Sequence, residues 1–127
     1  MAEVPIWIIG ADHWPRALLR AELIERGYDA TGFATLEVAV RRLMLPPARR
    51  PALLVLDRRD QVVDERSSAL LSRAGVPILV VADLAHPERE ALAPVVEILH
   101  RPVTMGSIAD AVDRLIDRRH ERDATGS

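Results

Sequence analysis

The chain has 127 residues, which suits one domain with its own core and leaves little room for a second. Apolar residues make up 49% of it, which supplies that core, and a formal net charge of -2 gives no electrostatic reason to expect nucleic acid or an anionic membrane as partner. Cysteine is absent, which excludes disulfides, thiolate catalysis and cysteine-held zinc; with no charged-then-apolar leader and no apolar run long enough to span a bilayer, the expected compartment is a reducing cytoplasm.

The run Val4–Gly10 contains Ile6, Trp7, Ile8 and Ile9 without alternation, the pattern of a strand buried on both faces. Asp12 starts a first helix, in which Leu18, Leu19, Leu23 and Ile24 recur at helical spacing until Gly27 stops it. Tyr28–Phe33 is a weaker strand, interrupted by Gly32. Thr35 caps a second helix carrying Leu36, Val40, Leu43 and Met44, which Pro46 and Pro47 end. Ala52–Leu56 is a third strand, Leu70 and Leu71 mark a helix that stops near Gly75, and Pro77–Val81 is a fourth strand. A shorter run, Val95–Leu99, is the fifth. The last helix has an apolar stripe, Ile108, Ala111, Val112, Leu115 and Ile116, with Asp110, Asp113, Arg114 and Asp117 outside it. Residues 1–119 read as one domain and 120–127 as a flexible tail. Strands alternating with helices imply a doubly wound α/β fold: a five-stranded parallel sheet with right-handed crossovers and helices on both faces.

Ligands and reactive groups of such sheets gather at the carboxyl ends of the strands. Here those ends read Gly10-Ala11-Asp12-His13, Leu56-Asp57-Arg58, Val81-Ala82-Asp83 and Leu99-His100-Arg101-Pro102. All 17 basic residues are arginine, so a Walker A loop, which needs lysine, is excluded. Gly10 alone does not make a dinucleotide turn, and the loop after the first strand lacks the serines and threonines of a flavin phosphate loop. Asp12-His13 has only a superficial likeness to a cobalamin site, and no nucleophile–base pair for hydrolysis is evident. His13 and His100 lack metal-ligand spacing and read as solvated. Trp14, before Pro15, either covers the mouth of the strand-end pocket, meets a partner, or packs on its own helix end. The doublets Arg41-Arg42, Arg49-Arg50 and Arg58-Arg59 are either one basic edge or, diluted by Glu37, Asp60 and Asp64, a solvated surface.

The stretch Pro51-Ala-Leu-Leu-Val-Leu-Asp57, the Arg16–Tyr28 segment with Glu25-Arg26-Gly27-Tyr28, the strand Val76–Val81 and Arg101-Pro102 together resemble the receiver domains of two-component response regulators, from about Ile6 to Ile116. The resemblance implies flavodoxin-like topology with strand order 2-1-3-4-5 and puts Asp57 at the phosphoacceptor position. It also exposes departures. Gly10 and Ala11 stand where the family has two magnesium-holding acids, and Asp12 comes one position late. Ala82 replaces a serine or threonine, Arg101 replaces a lysine before a proline expected to be cis, and Ile98 stands at the switching aromatic. The interval from Asp57 to Arg101 is short, so the third or fourth helix is expected to be trimmed.

Transfer of a phosphoryl group to a carboxylate needs its charge neutralised, usually by magnesium held by carboxylates. Asp57 with a displaced Asp12 is a poor magnesium site, Ala82 offers no hydroxyl, and arginine is not equivalent to lysine. The implied function is therefore an atypical, phosphorylation-independent receiver, not an enzyme, that binds protein partners and uses no cofactor. The alternative is a working phosphoacceptor using Asp57, Asp12 and Mg2+. In the first case either Asp57 pairs directly with Arg101 in place of the metal, or Asp57 caps a turn and Arg101 faces water. By the same resemblance the partner is a histidine kinase or an output protein, with a homodimer as a further option. The expected surface is the last helix and fifth strand, with Asp110, Asp113, Arg114, Asp117 and Arg118 carrying both signs of charge.

Overall fold

The apolar runs form strands because both of their faces find cover. In the computed structural model, which describes residues 3–46, 49–59, 61, 63–83 and 94–125, the strands are β1 (Pro5–Ile9), β2 (Asp29–Phe33), β3 (Leu53–Asp57), β4 (Ile78–Ala82) and β5 (Val95–His100). All pair in parallel, in the order β2-β1-β3-β4-β5. The described helices are α1 (His13–Glu25), α2 (Leu36–Met44), α3 (Glu65–Ala74) and α4 (Met105–Thr125). A helix expected between β4 and β5 would fall on residues 84–93, outside the described residues, as do Pro47 and Asp60.

Side chains alternate across the sheet with a period of two. Ile6, Ile8, Leu53, Val55, Leu79 and Val81 form one core layer with Leu19 and Leu23 of α1 and Ile108, Val112 and Ile116 of α4. Trp7, Ile9, Leu54, Leu56, Ile78 and Val80 form the other with Leu36, Val40 and Leu43 of α2 and Leu71 of α3. Among the described residues no polar or charged side chain is fully buried. The central strands β1, β3 and β4 are apolar on both faces, hence their unbroken sequence signal. β2 is an edge strand and buries only Ala30. Its Gly32 is covered by the stem of Arg16, close enough that a Cβ there would lie 3.1 Å from Arg16 Cδ.

The helix ends follow local chemistry. Thr35 Oγ1 accepts from the Val38 N–H at 3.2 Å, and Asp64 accepts from the Ser67 N–H at 2.7 Å. The Ser67 N–H holds the Asp64 carboxyl below its ordinary range. Gly75 closes α3 in the left-handed region, at φ 70. The sequence reading ended the domain at residue 119, but α4 runs on to Thr125. Nothing before Gly126 breaks a helix, and Arg119 fixes this stretch to the sheet by donating to the Ala52 carbonyl at 2.8 Å.

Candidate functional site

The carboxyl ends of β1, β3, β4 and β5 come together at one end of the sheet, and the peptide Arg101-Pro102 after β5 is cis. Asp57, the last residue of β3, lies beside β4 with Val81 as its Cα partner. Its Oδ1 accepts from the Arg59 N–H at 3.0 Å, and its Oδ2 accepts from Arg101 Nη2 at 2.5 Å. Both side chains of this ion pair are about four-fifths buried, at 20% and 21% exposure. Arg101 Nη1 lies 3.5 Å from Asp83, but is itself buried and makes no hydrogen bond among the described residues. The direct pairing weighed from the sequence is thus the one present, and Arg101 does not face open water.

The neighbouring positions divide. Gly10 is buried against Asp57: a Cβ added to it would lie 3.5 Å from Asp57 Cβ, in ordinary contact. An acid there would therefore sit beside Asp57. Gly10, Asp57 and Arg101 line a cavity of about 30 Å³ together with Val55, Val81 and Ile108. Ala11 is exposed. Asp12 stands at the N-cap of α1, yet its side chain makes no capping bond; it lies 3.5 Å from Arg59 instead. Ala82 is buried in the α2/α3 layer and does not line the cavity. Ile98 packs, half-buried, against that same layer. Pro102 is exposed.

Four contributors are ones to which the sequence alone assigns no part in this site. Arg16 donates to the Gly10 carbonyl at 2.5 Å and lines the cavity. Arg59 meets Asp12, and Asp83 approaches Arg101. Gln61 ties the loop after Asp57 to the start of α2, donating to the Ala34 carbonyl and accepting from the Leu36 N–H. These contacts cross loops, and no short motif encodes them.

Other candidates find simpler roles. Trp14 is 73% exposed and lies edge-on to His13, with ring centroids 5.5 Å apart, so it packs on its own helix end and does not line the cavity. His13 and His100 are both exposed. The arginine doublets disperse: Arg41 pairs with Glu37, Arg49 with Asp29, Arg50 with the Ala74 carbonyl and Arg59 with Asp12. The surface expected on α4 is partly engaged within the chain. Arg26 binds Asp110 and Asp113 at 2.8 and 2.7 Å, Tyr28 donates to Asp113 at 2.6 Å, and Arg114 pairs with Glu97 of β5. Burial, reinforced by Asp113, pushes the Tyr28 phenol above its ordinary range. Asp117 and Arg118 remain exposed.

The donor set does not fit magnesium as a receiver holds it. Of the acids that β1 would supply, Gly10 and Ala11 supply none, Asp12 is turned to Arg59, and Asp57 is occupied by a guanidinium. Among the described residues no group of three or more histidines, aspartates or glutamates could hold a metal ion.

This is a doubly wound α/β domain with an acidic residue closing its third strand. No family model and no curated protein matches the chain. Solved structures do, along nearly their whole length. A CheY-like response regulator receiver domain from Methanospirillum hungatei JF-1 is 17% identical, with a TM-score of 0.76, 95% of this chain and 99% of that one being covered. A response regulator receiver protein from Sinorhizobium medicae WSM419 is 20% identical, with a TM-score of 0.75 over 92% and 97%. One from Pseudomonas putida is 27% identical, with a TM-score of 0.68 over 90% and 98%. The chain has the fold of the response regulator receiver domains.

Proposed function

We propose that this domain is a pseudo-receiver: a protein-interaction module of two-component signalling that works without phosphorylation, without a metal and without catalysing a reaction. The receiver fold supports the signalling role, and receivers in general act by contact with proteins such as kinases and output domains. No described helix is long and apolar enough to cross a membrane, and a cytoplasmic partner is the natural expectation.

The observation that carries the reading is the 2.5 Å contact between Arg101 and Asp57. A phosphoacceptor carboxylate must approach a phosphoryl donor with a free oxygen while a cation draws off the donor's charge. Here the guanidinium takes that oxygen, Gly10 and Ala11 contribute no acid, and Ala82 carries no hydroxyl. Arginine holds a carboxylate as a fixed fork rather than as a mobile point charge, which suits a permanent lock. The surface is then set in one state, and a partner reads its shape.

The test is exposure of the folded protein to acetyl phosphate, or to beryllofluoride, with magnesium, followed by intact-mass measurement and amide NMR. The expected result is no added mass and no saturable shifts around Asp57. A stoichiometric adduct on Asp57 would replace this reading with that of a working phosphoacceptor.

A further inference from the structure

The opposite end of the sheet carries a second candidate site. Between the amino-terminal ends of β3, β4 and β5, the end of α3 and the later turns of α4 lies an open groove of about 620 Å³, within the ~300–1,000 Å³ range of ligand pockets. Arg50, Arg118, Arg119 and Arg122 line it, and no carboxylate is among the described residues that do. Arginine is thus the one charged residue type among the described residues that line it, in a chain whose formal net charge is -2.

Two of these guanidiniums are held in place. Arg50 donates to the Ala74 carbonyl and Arg119 to the Ala52 carbonyl, each at 2.8 Å. Both partners are backbone atoms, so the bonds fix position without cancelling charge. Arg118 and Arg122 lie four residues apart on α4, about 6 Å along its axis, on one side of the helix. The rest of the described lining is apolar, with Val76, Val96, Leu115 and Ile116 among it. Val96 stands there because the β4–β5 register shifts: Ile78 pairs with Val95 and Leu79 with Glu97, leaving Val96 without a partner and 47% exposed. Such a shift re-aims a side chain at a sheet edge.

We infer that this groove docks an acidic, aliphatic-rich segment of a protein partner, with carboxylates on the arginines and leucine-like side chains on Val96 and Leu115. Fixed guanidiniums suit carboxylates and phosphates alike. The lining decides between them: among the described residues no aromatic side chain offers a stacking face for a base, while the aliphatic lining matches aliphatic side chains. The inference does not depend on the state of Asp57, which lies at the other end of the sheet.

The probe is a fluorescent twelve-residue peptide of glutamate and leucine patterned as an amphipathic helix, titrated by anisotropy and by amide NMR on the full chain. Expected are saturable binding that weakens with salt and shifts centred on Val76, Val96 and Leu115. Arg118→Glu should weaken binding on the order of tenfold, the effect of one charge-assisted contact. Val96→Ser, which leaves every charge in place, should weaken it severalfold; it also covers the case in which Arg118→Glu misfolds. Comparisons use polyglutamate, a nucleoside triphosphate and anionic lipid vesicles. The inference is overturned if the peptide gives no shifts in the groove, if polyglutamate binds as tightly, or if nucleotide or vesicles bind there in its place.

Discussion

The two ends of the sheet use the same cation for opposite purposes. At the carboxyl ends of the strands, two guanidiniums are met by carboxylates, Arg101 by Asp57 and Asp83 and Arg59 by Asp12, while Arg16 rests on the Gly10 carbonyl. At the amino ends, Arg50 and Arg119 rest on backbone carbonyls, and no carboxylate is among the described residues that line their groove. A charge cancelled inside the fold stabilises a state; a charge held but not cancelled is available to another molecule. On the proposed reading, the first end stays as it is and the second is met by a partner.

The largest expected effect comes from breaking the closed end. Asp57→Ala leaves Arg101 largely buried with only the longer contact to Asp83. It should cost about 2–3 kcal/mol by urea denaturation, below the ~3–5 kcal/mol of a fully buried pair because both side chains keep about a fifth of their exposure. A cycle with Arg101→Ala should give a coupling of about 1–2 kcal/mol; simple additivity would mean that the pair does not act as one. Asp57→Asn, in a cell, should leave signalling intact.

Restoring acids sharpens the comparison from the other side. Contact at Gly10 is ordinary, so Gly10→Asp with Ala11→Asp should fold, with lowered stability in chelator from carboxylate crowding. Magnesium at ten times its Kd should then return about 1.4 kcal/mol that the parent chain does not gain. Equal responses in both proteins would mean that the missing acids are not what deprives the site of metal.

A contact away from both the Asp57–Arg101 pair and the groove serves as a control. Tyr28→Phe removes the hydroxyl that binds Asp113 and should cost about 1 kcal/mol at pH 7. The folded phenol is held above its ordinary value of about 10, so its contribution is complete below pH 10 and declines as pH rises through the folded value. The difference between parent and variant in urea midpoint should therefore shrink above pH 10, and a constant difference would argue against the hydrogen bond. The smallest effect belongs to the open end: Arg118→Glu, at an exposed position, should change stability by no more than about 0.5 kcal/mol. A larger loss would show that Arg118 holds the fold together.

The strands were legible because burial on both faces writes a continuous apolar run, and each was located to within a residue or two. β2 was faint for a physical reason: an edge strand needs little apolar surface, and the cover over Gly32 comes from Arg16, sixteen residues earlier. The Asp57–Arg101 pair was legible because strand ends converge in this topology. The contacts Arg59–Asp12 and Asp83–Arg101, and the Gln61 bridge, were not, because loop conformation places them. Polar residues on α4 looked available from a helical wheel, which cannot reveal that Arg26 and Tyr28 reach across from the end of α1. The groove escaped notice because its arginines lie on two separate segments.

The last helix joins the two ends physically. It starts at Met105, four residues after Arg101, and its later turns carry Arg118, Arg119 and Arg122 into the groove. At 1.5 Å per residue, Arg122 sits about 25 Å along the axis from Met105, so a tilt of about 5° at the first turn would sweep it through about 2 Å. One rod on the face of the sheet therefore has its first turn near the Asp57–Arg101 pair and its later turns at the groove, with Arg119 tying it down between.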